Sequence, residues 1–319
     1  MMELPDSVTV TEVGPRDGLQ NFRRWVDTDT KVRMIDRLSE VGFPVIEVTN
    51  FAHPRAIPNL RDAEEVMERI TRRPGIVYRG LAPNARGAER AVKARVDEVL
   101  GLITASDTYQ RKNQNMTLEQ GVEQAIATFR VADRASLPFI LAIGMTFWCA
   151  YEGRIPEERI LDLVGRFYDA GIRRYYFAGS VGMEDPRHVN GLFRTVRERW
   201  PELQVGFHVH NLSGMGTANI LAALDGGATA IEGAICGLGG GMTLPTTLGS
   251  VGNLPTEDIV QMLNEMGVAT GLDTDVVKVA SRDVARMLDI APGSHVGQAG
   301  TRADVMDMGR AHAGATISS

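Results

Sequence analysis

The chain of 319 residues is long enough for one large domain or two ordinary ones. With 44% apolar residues, 23% charged residues and a formal charge of -6, it has the composition of a soluble globular protein. Nothing in that balance calls for nucleic acid or an anionic membrane as partner. Its two cysteines, Cys149 and Cys236, lie far apart without a CxxC, which excludes a disulfide-stapled scaffold and fits a reducing, cytoplasmic setting. The opening Met-Met-Glu-Leu-Pro-Asp lacks the basic-then-apolar pattern of a signal peptide, and no apolar run reaches the ~20 residues of a membrane span.

Residues 7–13 alternate as a strand and end in Gly14-Pro15-Arg16-Asp17-Gly18, a charged loop. Thr28 or Asp29 can cap a helix running to Leu38, with Val32, Ile35 and Leu38 at helical spacing and Gly42 and Pro44 closing it. The pattern then predicts strand 45–49, helix 62–70, strand 76–81, helix 86–94 and strand 98–104, whose loop opens with Ser106-Asp107-Thr108. It continues with helix 118–135, strand 139–145, helix 156–170, strand 173–177, helix 187–200, strand 204–209, helix 218–224 and strand 229–234. Helices follow over 259–266 and 275–288, and from Gly297 the chain is rich in Gly, Ala, Thr and Ser, the composition of a flexible tail. Strand-helix units recurring about every 30 residues, each apolar strand ending in a polar or glycine cluster, predict a single catalytic TIM (β/α)8 barrel domain over 1–319 with short additional C-terminal helices. An open doubly wound sheet is the competing arrangement.

The seventh strand carries His208-Val209-His210. Alternation puts both imidazoles on one face at the strand's end, where such barrels hold their chemistry, and two imidazoles there can share one metal ion. Asp17 after the first strand would add a carboxylate, giving a divalent site open to zinc, manganese, iron or magnesium. Arg16 beside it could hold a substrate carboxylate or stabilise an enolate. Glu47, between Ile46 and Val48, must be paired or hydrogen-bonded if it faces the lumen, whether as a catalytic group or as a plain buried ion pair. The Gly237-Leu238-Gly239-Gly240-Gly241 run allows close backbone approach to a ligand, or movement. It lacks the Lys-Ser/Thr ending of a phosphate-binding loop, and no GxGxxG follows the first strand. Asn253 by itself suits a turn before a helix that Thr256 can cap. His53 and His188 are loop histidines without a defensible partner. Cys149 and Cys236 suit buried apolar positions better than nucleophiles.

Together these residues resemble a known family. Glu12-Val13-Gly14-Pro15-Arg16-Asp17-Gly18-Leu19-Gln20-Asn21 is similar to the opening motif of the 3-hydroxy-3-methylglutaryl-CoA lyases of the DRE-TIM metallolyase superfamily. The likeness continues through 45–49, Ala105-Ser106-Asp107, Lys112-Asn113, His208-Val209-His210, Gly237-Leu238-Gly239-Gly240 and Gly252-Asn253-Leu254. The resemblance implies a divalent cation, Mg2+ or Mn2+, on Asp17, His208, His210 and Asn253. Asn253 is then a ligand and not a turn. It further implies an enolate-stabilising Arg16, Glu47 and Gln20 along the acyl site, and Ser106, Lys112 and Gly239 as substrate contacts. Arg111, Lys112 and Asn113 after the fourth strand are either contacts for the CoA phosphates or an ordinary solvated basic patch. The implied substrate is a 3-hydroxy-3-alkyl acyl-CoA that chelates the metal and is cleaved between C2 and C3 to an acyl-CoA enolate and a 3-oxo acid. Related barrels often form homodimers.

Two departures stand out. The family cysteine that follows Gly-Leu-Gly-Gly is Gly241 here, and Cys236 lies five positions earlier. The family's Gly-Asp-Thr after the sixth strand is replaced by Ala178-Gly179-Ser180, so the aspartate position is Gly179. Another proton donor, water or Glu47, is then needed, and glycine at both positions suggests room for a larger acyl substituent. The competing functions are a Claisen-type condensing enzyme, a non-CoA hydroxy-acid aldolase, or an inactive barrel with a binding role.

Overall fold

The computed structural model describes residues 2–239 and 252–316. Eight parallel strands close a barrel: β1 (Thr9–Glu12), β2 (Val45–Asn50), β3 (Val77–Leu81), β4 (Glu98–Thr104), β5 (Phe139–Gly144), β8 (Arg174–Gly179), β9 (Gln204–Val209) and β10 (Ala230–Gly233), with β1 hydrogen-bonded to both β2 and β10. Closure rules out the open sheet. Two short strands, β6 (Trp148–Cys149) and β7 (Gly153–Arg154), form a hairpin after β5 that the periodicity does not announce.

The helices α1 (Thr28–Val41), α2 (Ala63–Arg69), α3 (Ala85–Lys93), α5 (Leu118–Arg134), α6 (Glu157–Asp169), α7 (Pro186–Arg199), α8 (Gly216–Gly226) and α9 (Thr256–Glu265) connect or follow the barrel strands. α1 shows how local sequence sets them. Asp27 caps it by accepting from Thr30 N at 2.8 Å, one residue before the expected cap. Met34, Ile35 and Leu38 turn to the core, and Gly42 ends it at φ 88°. Each such side chain contributes about 1.5–3 kcal/mol of burial. A further helix, α4 (Asp107–Gln114), forms where a loop was expected, because Ser106 Oγ accepts from Tyr109 N and caps it. Thr256 does not cap α9; its hydroxyl donates to Glu12 Oε2 at 2.7 Å. His188 sits buried in α7 against Phe147, not in a loop.

Beyond the barrel, α10 (Thr274–Leu288) packs on α1 and α9, tied to α1 by Arg37 Nε and Asp283 Oδ2 at 2.7 Å. The glycine- and alanine-rich stretch that follows forms α11 (His295–Ala299) and α12 (Arg302–Thr316). Lys278 Nζ to Asp304 Oδ2, 2.6 Å, ties α12 to α10. Among the described residues no helix is long and apolar enough to cross a membrane.

The main apolar core lies between strands and helices, with a small second cluster of Leu81, Leu100, Ile140 and Tyr176. Charged side chains occupy much of the barrel's middle. Register pairs Glu47 with Arg79 and Arg79 with Glu98, while Thr11 faces Glu232 and Glu232 faces His208. Arg79, 1% exposed, donates to Glu98 Oε2 at 2.6 Å and to Glu232 Oε1 at 3.1 Å. Arg174 holds the other oxygen of Glu98. Removing one member of a buried ion group strands the others in a low-dielectric interior. Arg79→Ala should therefore lower unfolding stability by about 3–5 kcal/mol in urea titrations; a loss under ~1 kcal/mol would mean that the ion group is solvated.

Candidate active site

At the end of β1 the chain winds into a tight π-type turn, Gly14–Gly18. The Val13 carbonyl collects the amides of Arg16, Asp17 and Gly18 at 3.1, 2.8 and 3.3 Å. Glu12 anchors the turn. Its Oε1 accepts from Gly14 N at 2.7 Å and Ile235 N at 2.9 Å, so β1, β10 and α9 converge on one carboxyl. Burial pushes that carboxyl up to about 8 despite these bonds. A Cβ on Gly14 would stand 2.6 Å from Glu12 Oε1, so this turn needs glycine there. The result aims Arg16 and Asp17 at the barrel mouth, where both line a cavity of about 260 Å³ with His208 and His210.

Asp17, His208 and His210 are buried, and one ligand atom from each lies within 4.8 Å of the others. The two Nε2 atoms are 3.0 Å apart, and His210 Nε2 is 3.6 Å from Asp17 Oδ2. Burial opposes the charge of Asp17, yet the Arg16 guanidinium and the imidazoles hold its carboxyl well below the usual range. Burial pushes His210 down. For His208 burial acts the same way but is outweighed by Glu232, whose Oε2 lies 2.9 Å from Nδ1. That contact orients the ring so that Nε2 faces its partners.

Asn253 completes the group. Its Nδ2 donates to Asp17 Oδ2 at 2.7 Å and to the Leu238 carbonyl at 3.0 Å, while its Oδ1 is buried without a hydrogen-bond partner. The backbone of Asn253 bridges that of His210. Gly239, at φ 124°, passes so close that a Cβ would lie 2.3 Å from Asn253 Nδ2. A carboxylate, two imidazoles and an orphaned amide oxygen suit a divalent cation.

Arg16 is clamped on two sides, to Asp17 Oδ1 at 2.5 Å and to Glu47 Oε1. Glu47 is fully buried beneath Arg16 and does not line the cavity; its Oε2 has no partner, and burial raises its carboxyl. Gln20 lines the cavity with Thr104, Tyr109 and Ser180, its Oε1 accepting from Asn50 Nδ2 at 3.0 Å.

Other expected contacts lie elsewhere. Ser106 is fully buried away from the cavity lining, its hydroxyl engaged by Glu152, Tyr109 N and Cys149 Sγ. Lys112 is exposed on α4, its Nζ 5.3 Å from the centre of the Tyr151 ring, and Arg111 pairs with Asp107. Gly240 and Gly241 lie outside the described residues, as does the side chain of Asn113. Both cysteines are buried and free, and neither lines the cavity. Cys236 Sγ donates to the Ser281 carbonyl, and burial pushes its thiol up to about 12, so it does not replace a cavity thiol. Gly179 leaves no room for a larger substrate: it does not line the cavity, and the carboxylate of Glu184 fills the space beside it. Glu232 escaped the sequence reading, although an acid inside the apolar strand 229–234 is the same signal that marked Glu47.

If Glu232 sets the ring of His208, Glu232→Gln should weaken Mn2+ binding roughly 10–100-fold while leaving the circular dichroism spectrum intact. Unchanged affinity in a calorimetric titration would remove Glu232 from that role.

The HMGL-like family model matches residues 7–284. The mitochondrial hydroxymethylglutaryl-CoA lyase of Gallus gallus is 36% identical over 298 residues, covering 93% of this chain and 99% of that protein. Hydroxymethylglutaryl-CoA lyase YngG of Bacillus subtilis is 36% identical over 281 residues, 88% of this chain and 93% of that protein. Among solved structures, the HMG-CoA lyase of Acinetobacter baumannii in complex with coenzyme A and 3-methylmalate superposes with a TM-score of 0.88 at 38% identity, covering 95% of this chain and 98% of that one. Matched along nearly its whole length in sequence, in barrel and in the residues 7–284 that hold the site, the chain belongs to the HMGL-like family.

Proposed function

We propose that this protein is a divalent-metal-dependent carbon–carbon lyase. It cleaves 3-hydroxy-3-methylglutaryl-CoA, or a close 3-hydroxy-3-alkyl acyl-CoA, to an acyl-CoA and a 3-oxo acid. The observation that carries this reading is the convergence of Asp17, His208, His210 and the unpartnered Asn253 Oδ1 beside Arg16 in one cavity. These four residues would hold Mg2+ or Mn2+, which would polarise the substrate oxygen that becomes the carbonyl. The reactive acyl group enters the cavity between Arg16, Gln20 and the imidazole pair. The nucleotide half of CoA would lie outside it, on the side where α4 carries Arg111 and Lys112 next to the cavity-lining Tyr109. The coenzyme A bound to the Acinetobacter relative supports this substrate class.

Cleavage of C2–C3 leaves its electron pair on the acyl-CoA fragment as an enolate. Arg16 stabilises that charge from the cavity wall. Glu47 acts one step back as a positioning residue, fixing the guanidinium so that no reorientation is needed when charge develops. Gln20, oriented by Asn50, lines the acyl side. The C3 hydroxyl gives its proton to solvent water as the C2–C3 bond breaks and, because neither cysteine faces the cavity, solvent water supplies the proton that the enolate carbon takes up. Two separated, buried, free cysteines fit a reducing, cytoplasmic compartment.

The decisive assay follows acetyl-CoA release from 3-hydroxy-3-methylglutaryl-CoA with Mg2+ or Mn2+. Asp17→Ala should abolish the metal-dependent rate. Arg16→Gln should lower kcat about 10²–10³-fold with little change in KM, since the guanidinium acts on charge present only in the transition state. Release that persists undiminished in chelator, or in Asp17→Ala, would sink the metal-dependent mechanism.

A further inference from the structure

The resembled lyases carry an aspartate where this chain has Gly179. The structure brings an acid to that place from the opposite direction. β8 ends at Gly179, and the chain folds back on itself before α7. A Cβ built on Gly179 would stand 2.0 Å from Glu184 Oε1 and 2.4 Å from its Cδ. The carboxylate of Glu184 thus occupies the volume that a side chain at 179 would need. Glu184 is 2% exposed, and both of its carboxylate oxygens are buried without a hydrogen-bond partner.

The return loop is built around this placement. Gly182 N donates to the Gly179 carbonyl at 3.0 Å. Gly182 sits at φ 72°, and a Cβ there would lie 2.7 Å from the carbonyl of His210. The Gly182 carbonyl accepts from Ser213 N at 2.8 Å, and the Glu184 carbonyl accepts from Asn219 Nδ2 at 3.0 Å. The Gly179 carbonyl itself accepts from His210 N at 3.2 Å. Most of the bonds that fix the return therefore end on the segment that begins at His210. Register pairs Gly179 with Val209, so the carboxylate stands behind the strand whose lumen face carries His208 and His210. Within the loop, Ser180 reaches the cavity lining.

A buried acid that no side chain pairs or hydrogen-bonds is costly where a leucine or methionine would fill the same space. Its presence is accounted for if the carboxylate itself is used. We propose that Glu184 is a positioning residue of this site: its carboxylate takes the place of the family's aspartate, through an exchange in which the side chain lost at 179 is regained at 184. From there it fills the space beneath the 180–183 return; burial pushes its carboxyl up, the field of His208 pulls it back, and a cation on the far side of the imidazole pair would favour its ionised form. The assignment rests on the lyase reading for its meaning, but its physical content is the shared volume and the effect on cation binding.

The test is an exchange series: Glu184→Gln, Gly179→Asp, and the double variant Gly179→Asp/Glu184→Gly. Each is measured by Mn2+ calorimetry, by Tm and by thioester cleavage. Glu184→Gln keeps the shape, so it should fold with a Tm near the parent's and bind Mn2+ about 10-fold more weakly. Gly179→Asp alone crowds two carboxylates into one volume and should lower Tm sharply. The double variant should regain both Tm and Mn2+ affinity. Parent-like Mn2+ affinity in Glu184→Gln would overturn the proposal, because shape alone would then explain the residue. A double variant no better than Gly179→Asp would also overturn it, because the two positions would not share a role. If the exchange behaves as expected while even the parent fails to cleave any thioester, the lyase reading falls and the assignment of Glu184 stands.

Discussion

The constraint on which this barrel depends is that charge in its lumen must meet opposite charge. From the mouth downward the chain of contacts runs His208, Glu232, Arg79, Glu98, Arg174, and beside it Asp17, Arg16, Glu47. Each member except Arg174 is buried. Such a column is poor value for stability alone, since well-packed apolar residues of similar volume would hold the strands as firmly or more so. Its use lies at the top. A rigid line of alternating charges fixes the ring of His208 from below and the plane of Arg16 from the side. The groups that meet the ligand are then already oriented before it arrives, which is where electrostatic catalysis gains most.

The second requirement is close backbone approach, and here glycine matters at two places. Gly239 lets its loop lie against the amide of Asn253, and Gly182 lets the return after β8 lie against the carbonyl of His210. Both have left-handed φ values, which other residues adopt only at a cost. Strand ends alone would leave Asp17 on one element and His208 and His210 on another. The glycine loops add Asn253 and the bracing contacts that make one site of them.

Much of this was legible in the sequence. Strands 98–104 and 204–209 were read with the boundaries that the structure has, because buried parallel strands between turn residues carry a strong local signal. The convergence of Arg16, Asp17, His208 and His210 followed from the barrel hypothesis, since closure brings all strand ends to one rim. What was not legible depended on three-dimensional neighbours. Ser106 resembled a substrate contact, but the hairpin β6–β7 delivers Glu152 and Cys149 to its hydroxyl, and two-residue strands leave no periodic trace. The helix α4 was hidden because its apolar positions are few and its cap was taken for a loop opening. Arg79 carries no mark in the sequence; only the register sets it between Glu98 and Glu232.

Gly179 shows why a missing residue type is weak ground for inferring a missing group. Position by position, the chain lacks an acid at the end of β8, and that suggested another proton donor and extra room. In space the acid is present and the room is filled, because a side chain longer by one rotatable bond reaches the same volume from five residues away. What a site must conserve is the atom in its place and the field it creates; the backbone position that supplies the atom is free to move when the intervening loop is held as firmly as Gly182 and Asn219 hold this one. The cysteine position does not admit the same solution. Both thiols of the chain are buried away from the cavity, one of them bonded to Ser281, so no thiol reaches the mouth from another element. The two departures from the family pattern are therefore different in kind: one is an exchange of positions, and the other is a loss that the proposed reaction must meet with solvent.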